Sequence, residues 1–159
     1  PLFYYEKNTG RPIYLPSDKY KSKYLDSPNE PLYPFGYGLS YTEFKYSGLV
    51  LSSPQMKKGK TIQATVTVTN TGNRTGEEVV QLYIRDLIGS VTRPVKLLKG
   101  FQKISLAPGE TMNISFTIDE EMLSFWRHDM TFGTEEGDFK VMVGGSSSDL
   151  LQTSFALVP

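Results

Sequence analysis

The sequence predicts an all-β fold: an antiparallel β-sandwich of seven or eight strands preceded by an irregular N-terminal tail. Three observations lead to it. From Thr42 onward, short segments of alternating apolar and polar residues recur at regular spacing. Clusters of Gly, Pro, Asn, Asp and Ser separate these segments. No stretch carries the sustained 3.6-residue periodicity of a long amphipathic helix.

Taken in order, Phe44, Tyr46, Leu49 and Leu51 mark a first strand whose facing changes at Ser47-Gly48, as a β-bulge would make it do. Met56 to Gly59 reads as a turn. Ile62, Ala64, Val66 and Val68 alternate with Gln63, Thr65, Thr67 and Thr69, the clearest half-buried strand in the chain. Asn70 to Gly76 reads as a polar loop. Val80, Leu82 and Ile84 face inward on the next strand, with Gln81, Tyr83 and Arg85 outward. Arg93-Pro94 marks an edge or kink, and Val95 to Ser105 a short extended pair. Ala107-Pro108-Gly109-Glu110 fits a type II turn, with Pro at its second position and Gly at its third. Met112, Ile114, Phe116 and Ile118 form a strand, after which Asp119 caps a single helical turn through Met122. Phe139, Val141 and Val143 form a strand ended by Gly144-Gly145, and Leu151 to Val158 the last.

Upstream, Pro1, Pro12, Pro16, Pro28 and Pro31 break any helix. Yet Tyr4, Tyr5, Tyr14, Tyr20 and Tyr24 give this tail more aromatic surface than a disordered linker carries. Such a tail is expected to pack on a large neighbouring surface. Leu32 to Phe44, with Gly36 and Gly38 inside an aromatic run, is the connector that leads into the sandwich. A start at Pro1 without Met fits a piece of a longer protein.

Lys+Arg and Asp+Glu balance at 17 each, so neither a nucleic-acid groove nor a basic membrane surface is indicated. Cysteine is absent, which excludes disulfides and thiolate chemistry. No apolar run approaches the roughly 20 residues of a membrane helix.

Two carboxylates suffice to hydrolyse a glycosidic bond, and Glu77-Glu78, Glu120-Glu121, Glu135-Glu136 and Asp138 are the candidates for such a pair. Adjacent residues on a strand point to opposite faces, and all three doublets fall at strand edges or turns, which favours solvated carboxylates. His128 is the only histidine, too little for a metal site of three or four ligands. Ser146, Ser147 and Ser148 lack a histidine base nearby in sequence. Phe125, Trp126 and Phe132 read as core aromatics of the sandwich; exposed, they would instead form a carbohydrate-binding face. Asn73-Arg74-Thr75 and Asn113-Ile114-Ser115 match the short acceptor pattern for N-glycosylation.

The order of motifs resembles the C-terminal part of glycoside hydrolase family 3, the β-glucosidase and β-xylosidase family. Pro31 to Thr42 looks like that family's lead into its fibronectin type III-like domain. The match continues through Val66-Thr67-Val68-Thr69-Asn70-Thr71-Gly72, Gly76 to Tyr83, Arg93 to Phe101, Leu106 to Thr111, Gly137-Asp138-Phe139 and Val143 to Ser147. In the tail, Thr9 to Pro12 and Lys23 to Asp26 look like the segment leaving the family's middle α/β domain. The resemblance implies that residues 1–41 connect to a preceding α/β domain and that residues 42–159 form an immunoglobulin/fibronectin III-like sandwich.

It also implies a periplasmic or secreted parent enzyme that hydrolyses β-glucosides or β-xylosides with retention and without a cofactor. In the family the nucleophilic Asp lies in an N-terminal barrel and the acid/base comes from the middle domain. No residue of this sequence matches either motif, so no catalytic, cofactor-binding or metal-binding residue is expected. The domain's expected role is structural, packing within the parent on its catalytic domains through Phe35, Tyr37 and Tyr41.

Overall fold

The structure, a computed structural model, describes residues 31–159. The tail tyrosines Tyr4, Tyr5, Tyr14, Tyr20 and Tyr24 lie outside the described residues, as do the resembling segments Thr9 to Pro12 and Lys23 to Asp26. The elements in order are β1 (Phe44–Leu51), β2 (Gln55–Lys57), β3 (Ile62–Asn70), β4 (Gly76–Asp86), β5 (Leu97–Leu106), β6 (Thr111–Ile118), α1 (Glu120–Leu123), β7 (Phe125–Trp126), β8 (Phe132–Gly133), β9 (Gly137–Gly144) and β10 (Leu151–Val158).

A three-stranded sheet ordered β1-β3-β6 faces a five-stranded sheet ordered β2-β10-β9-β4-β5, and β7-β8 form a separate hairpin. The alternation of β3 explains the layering. Its Ile62, Ala64, Val66 and Val68 are buried, and they meet Val80, Leu82, Ile84, Ile114, Phe116, Phe139, Val141, Val143 and Phe155 in one core. Burying each large apolar side chain contributes about 1.5–3 kcal/mol. This is the sandwich that the alternating segments predict.

Local signals hold where their chemistry is specific. The register of β1 against β3 shifts between Ser47 and Val50, placing the bulge at Gly48. Gly109 has φ 76°, and the Glu110 amide donates to the Ala107 carbonyl at 3.0 Å, closing the expected turn. Asp119 caps α1 by accepting from the Met122 amide at 2.9 Å.

Four readings are corrected. Met56 lies in a strand: β2 pairs parallel with β10, and Met56 is fully buried. Three residues are too few to show a period, so only the turn after Lys57 was visible. Residues 97–106 form one strand rather than a short pair, with a register shift opposite Leu82/Tyr83 that interrupts its pattern. Gln81 and Tyr83 do not face water; both are buried on the outer face of β4. Asn70 belongs to β3 and is fully buried instead of opening a loop.

Asn70 is buried because its amide is fully used. Its Nδ2 donates to the carbonyls of Leu106 at 2.9 Å and Arg74 at 2.7 Å. Its Oδ1 accepts from Thr42 Oγ1 at 2.6 Å and from the Gly72 amide at 3.1 Å. One side chain thereby ties the end of the connector, the loop after β3 and the end of β5. Asn70→Ala leaves a buried carbonyl without a donor and is expected to lower the unfolding free energy by about 2–4 kcal/mol. Asn113→Ala removes only an exposed contact with Thr67 and should stay within about 0.5 kcal/mol. Urea denaturation of both variants measures the difference.

Candidate functional site: a seated aromatic connector

Residues 31–41 cross the outer face of β4. Pro34 to Tyr37 form a tight turn in which the Tyr37 amide donates to the Pro34 carbonyl at 2.9 Å and Gly36 has φ 80°. Proline fixes the start of the turn, and glycine supplies a backbone conformation that costs other residues energy. Gly36 also lies flat on Gln81: a Cβ there would fall 2.4 Å from Gln81 Nε2. The Phe35 carbonyl accepts from the Ser147 amide at 2.8 Å.

Beneath the connector, Gln81 Nε2 donates to the Gly145 carbonyl at 2.6 Å, and Tyr83 Oη donates to Gln81 Oε1. Lys96 Nζ donates to the Ser147 carbonyl, and burial holds that ammonium below its ordinary range. The connector, β4 and the turn between β9 and β10 are therefore one polar cluster. Its outside is apolar: Tyr33 and Tyr37 approach with ring centroids 5.4 Å apart, and Tyr41 and Leu39 are almost fully exposed. Phe35 and Tyr37 are about half exposed, at 48% and 50%.

Between this connector and the sandwich edge lies a cleft of about 520 Å³ lined by Tyr37, Phe44, Tyr46, Glu78, Ser146 and Asp149, among others. Tyr46 Oη donates to Glu78 Oε1 at 3.0 Å. Burial raises the Glu78 carboxyl above its ordinary 4.5, with the Tyr46 bond opposing the shift. Burial and the adjacent carboxylate raise the Tyr46 phenol as well.

Four of the other candidate carboxylates hold a lysine or a loop group. Glu77 pairs with Lys103 at 2.7 Å, and Glu136 with Lys58 at 2.9 Å. Glu120 accepts from Thr134 Oγ1 and the Gly59 amide, both at 2.8 Å, and Glu135 accepts from the Ser90 amide at 2.7 Å. His128 and Asp138 are exposed. Among the described residues no group of three His, Cys, Asp or Glu side chains is placed to hold a metal.

The aromatic trio divides. Phe125 is buried as read, with the Arg93 guanidinium 4.0 Å from its ring centroid. Trp126 and Phe132 are not core residues; they are 64% and 54% exposed. In a two-residue strand the outward side is set by the partner, and no sequence pattern this short reports it. The Gln81–Gly36 contact was likewise missed, since residues 45 positions apart give no local signal.

Gly36→Ala should lower the unfolding free energy by about 1–3 kcal/mol, because it meets both strain and Gln81. Gly38, with open space around its Cα, should tolerate Ala within about 0.5 kcal/mol. Chemical denaturation distinguishes them. A second expectation concerns pH. The raised Glu78 pKa means the folded state holds that proton more readily, so its contribution to stability falls as pH rises from 4.5 through the folded value. Glu78→Gln keeps an acceptor for Tyr46. It should raise the thermal midpoint at pH 7, with the two proteins converging below pH 4.5.

Residues 78–147 match the family model of the fibronectin type III-like domain. The periplasmic β-glucosidase of Salmonella typhimurium is 51% identical over 160 residues, covering 99% of this chain and 21% of that protein. A β-xylosidase of Formosa agariphila is 44% identical over 154 residues, covering 96% of this chain and 20% of that protein. The β-glucosidase from Listeria innocua, solved in complex with glucose, superposes with a TM-score of 0.90 at 38% identity over 99% of this chain and 22% of its own. The chain spans about a fifth of the length of the curated relatives it matches. The chain belongs to glycoside hydrolase family 3, of which it carries the fibronectin type III-like domain.

Proposed function

We propose that this chain is a non-catalytic structural domain of a longer β-glycosidase. On this reading residues 1–41 connect it to a preceding α/β domain and residues 42–159 form the sandwich. The observation that carries the proposal is the connector itself. Tyr33, Phe35, Tyr37, Leu39 and Tyr41 present exposed apolar surface from a backbone fixed against Gln81 and Ser147. An apolar ridge on a rigid support suits packing against another domain.

The parent would remove sugars from β-glucosides or β-xylosides with retention. That chemistry needs two carboxyl groups about 5–5.5 Å apart across the scissile bond, which other domains would supply. Here Glu77 and Glu136 already hold lysines, Glu120 and Glu135 loop amides, and Glu78 holds Tyr46. The name of the Salmonella relative favours a periplasmic or secreted parent.

Incubated with a nitrophenyl β-glucoside or β-xyloside, the purified chain should release no nitrophenol above the buffer rate; turnover would overturn the placement of catalysis elsewhere. In the longer enzyme, Phe35→Ser with Tyr37→Ser should lower the thermal midpoint and, in parallel, the residual activity after heating. An unchanged midpoint would reject the buttressing role.

A further inference from the structure

The hairpin of β7 and β8 stands apart from both sheets. Trp126 and Phe132 are direct cross-strand partners on it, with ring centroids 5.4 Å apart and planes inclined at 58°. Their neighbours along the strands, Phe125 and Gly133, form the other cross-strand pair, and Phe125 is buried in the body. The pair is thus held out from the domain by a ring that anchors it.

The turn joining the two strands is internally bonded. The Arg127 amide donates to the Thr131 carbonyl at 2.9 Å, and the Met130 amide to the Arg127 carbonyl at 3.0 Å. Asp129 Oδ1 accepts from the Thr131 amide at 3.0 Å and from its hydroxyl at 2.6 Å, and Arg127 Nη2 donates to that hydroxyl at 2.6 Å. Met130 at the tip has φ 63°, a left-handed conformation unusual for a residue with a side chain. A platform already rigid loses little conformational freedom on binding.

Size and surroundings choose the ligand. The two rings expose roughly 300 Å² between them, far below the about 800 Å² per partner of a stable protein interface. Charged or polar Arg127, His128, Asp129 and Thr131 flank them, whereas the centre of a protein interface is depleted in charge. An exposed ring beside hydrogen-bonding groups suits a pyranose, whose C–H face stacks on the ring while its hydroxyls meet the polar rim.

We propose that Trp126 and Phe132 form a carbohydrate-stacking platform for β-linked gluco- or xylo-oligosaccharides. The sugar class rests on the proposed parent activity; the stacking rests on the hairpin. Because Trp126 is the only tryptophan, its fluorescence reports the site directly. Titrating the chain with xylohexaose and cellohexaose should give a saturable change, and α-linked maltohexaose a weaker one or none. In affinity gels containing xylan or hydroxyethylcellulose, Trp126→Ala and Phe132→Ala should each weaken retardation at least tenfold. Trp126→Tyr should retain most of it, and Phe101→Ala, at an exposed phenylalanine elsewhere, should leave it unchanged.

Silence with every sugar would overturn the platform and assign the rings to a protein contact, without touching the nitrophenyl assay. Retardation that survives Trp126→Ala would also overturn it. Equal binding of maltohexaose would keep the stacking and reject the sugar class.

Discussion

The side-chain amide of Gln81 is the interaction on which the exterior of this domain depends. A buried amide in a low-dielectric setting is costly unless its donors and acceptor are used. Here Nε2 reaches the Gly145 carbonyl, and Oε1 receives the Tyr83 hydroxyl. That arrangement leaves a flat surface that only a glycine backbone can approach, and Gly36 occupies it. The ladders of the two sheets would form without Gln81. The connector would then have no fixed place, and its aromatic residues no fixed direction. Asn70 plays the same part at the other end of the connector, where Thr42 and the Leu106 carbonyl converge on one amide.

These two amides also mark a difference between the outer faces of the sandwich. On the three-stranded sheet, Thr65 with Ser115, Thr67 with Asn113 and Thr69 with Thr111 form a ladder of exposed cross-strand hydrogen bonds. That face is built for water. On the five-stranded sheet, Gln81, Tyr83 and Met142 are buried on the outer side, and Phe101 stands exposed opposite Gln81. The two outer faces thus differ in covering, and the connector lies over the second, against Gln81.

The interior was legible in the sequence because it obeys a period. Ile62 to Val68 and Ile114 to Ile118 announce their inward face by alternation, whereas Met112 at the start of β6 is exposed, and Asp119, Gly109 and Gly48 announce cap, turn and bulge by residue chemistry. The failures share a different cause. Met56 is buried by a strand that arrives a hundred residues later in the chain. Tyr83 and Gln81 are amphipathic residues, which carry no preference between a wet face and a covered one. Trp126 and Phe132 are large and apolar, so composition assigns them inward, yet their two-residue strands have room for only one inward ring and Phe125 takes it. What covers a surface is a non-local fact, and local pattern cannot contain it.

The distribution of charge and aromatic surface follows the same logic. The Asp86 carboxyl and the Arg93 guanidinium are largely withdrawn from water at 3.8 Å, and Arg93 also lies over Phe125. Burial raises the Asp86 carboxyl while the Arg93 charge opposes the shift. This contact ties the loop after β4 to the base of the aromatic hairpin. Glu120 and Glu135 are held below their ordinary range by hydrogen bonds from Thr134 and Ser90, so ionised carboxylates clasp the loops on either side. Polar groups in this domain therefore close its loops, and those loops carry its exposed rings. The backbone of the connector and the turn of the hairpin are each held by hydrogen bonds, from the Ser147 amide to the Phe35 carbonyl and among Arg127, Asp129 and Thr131.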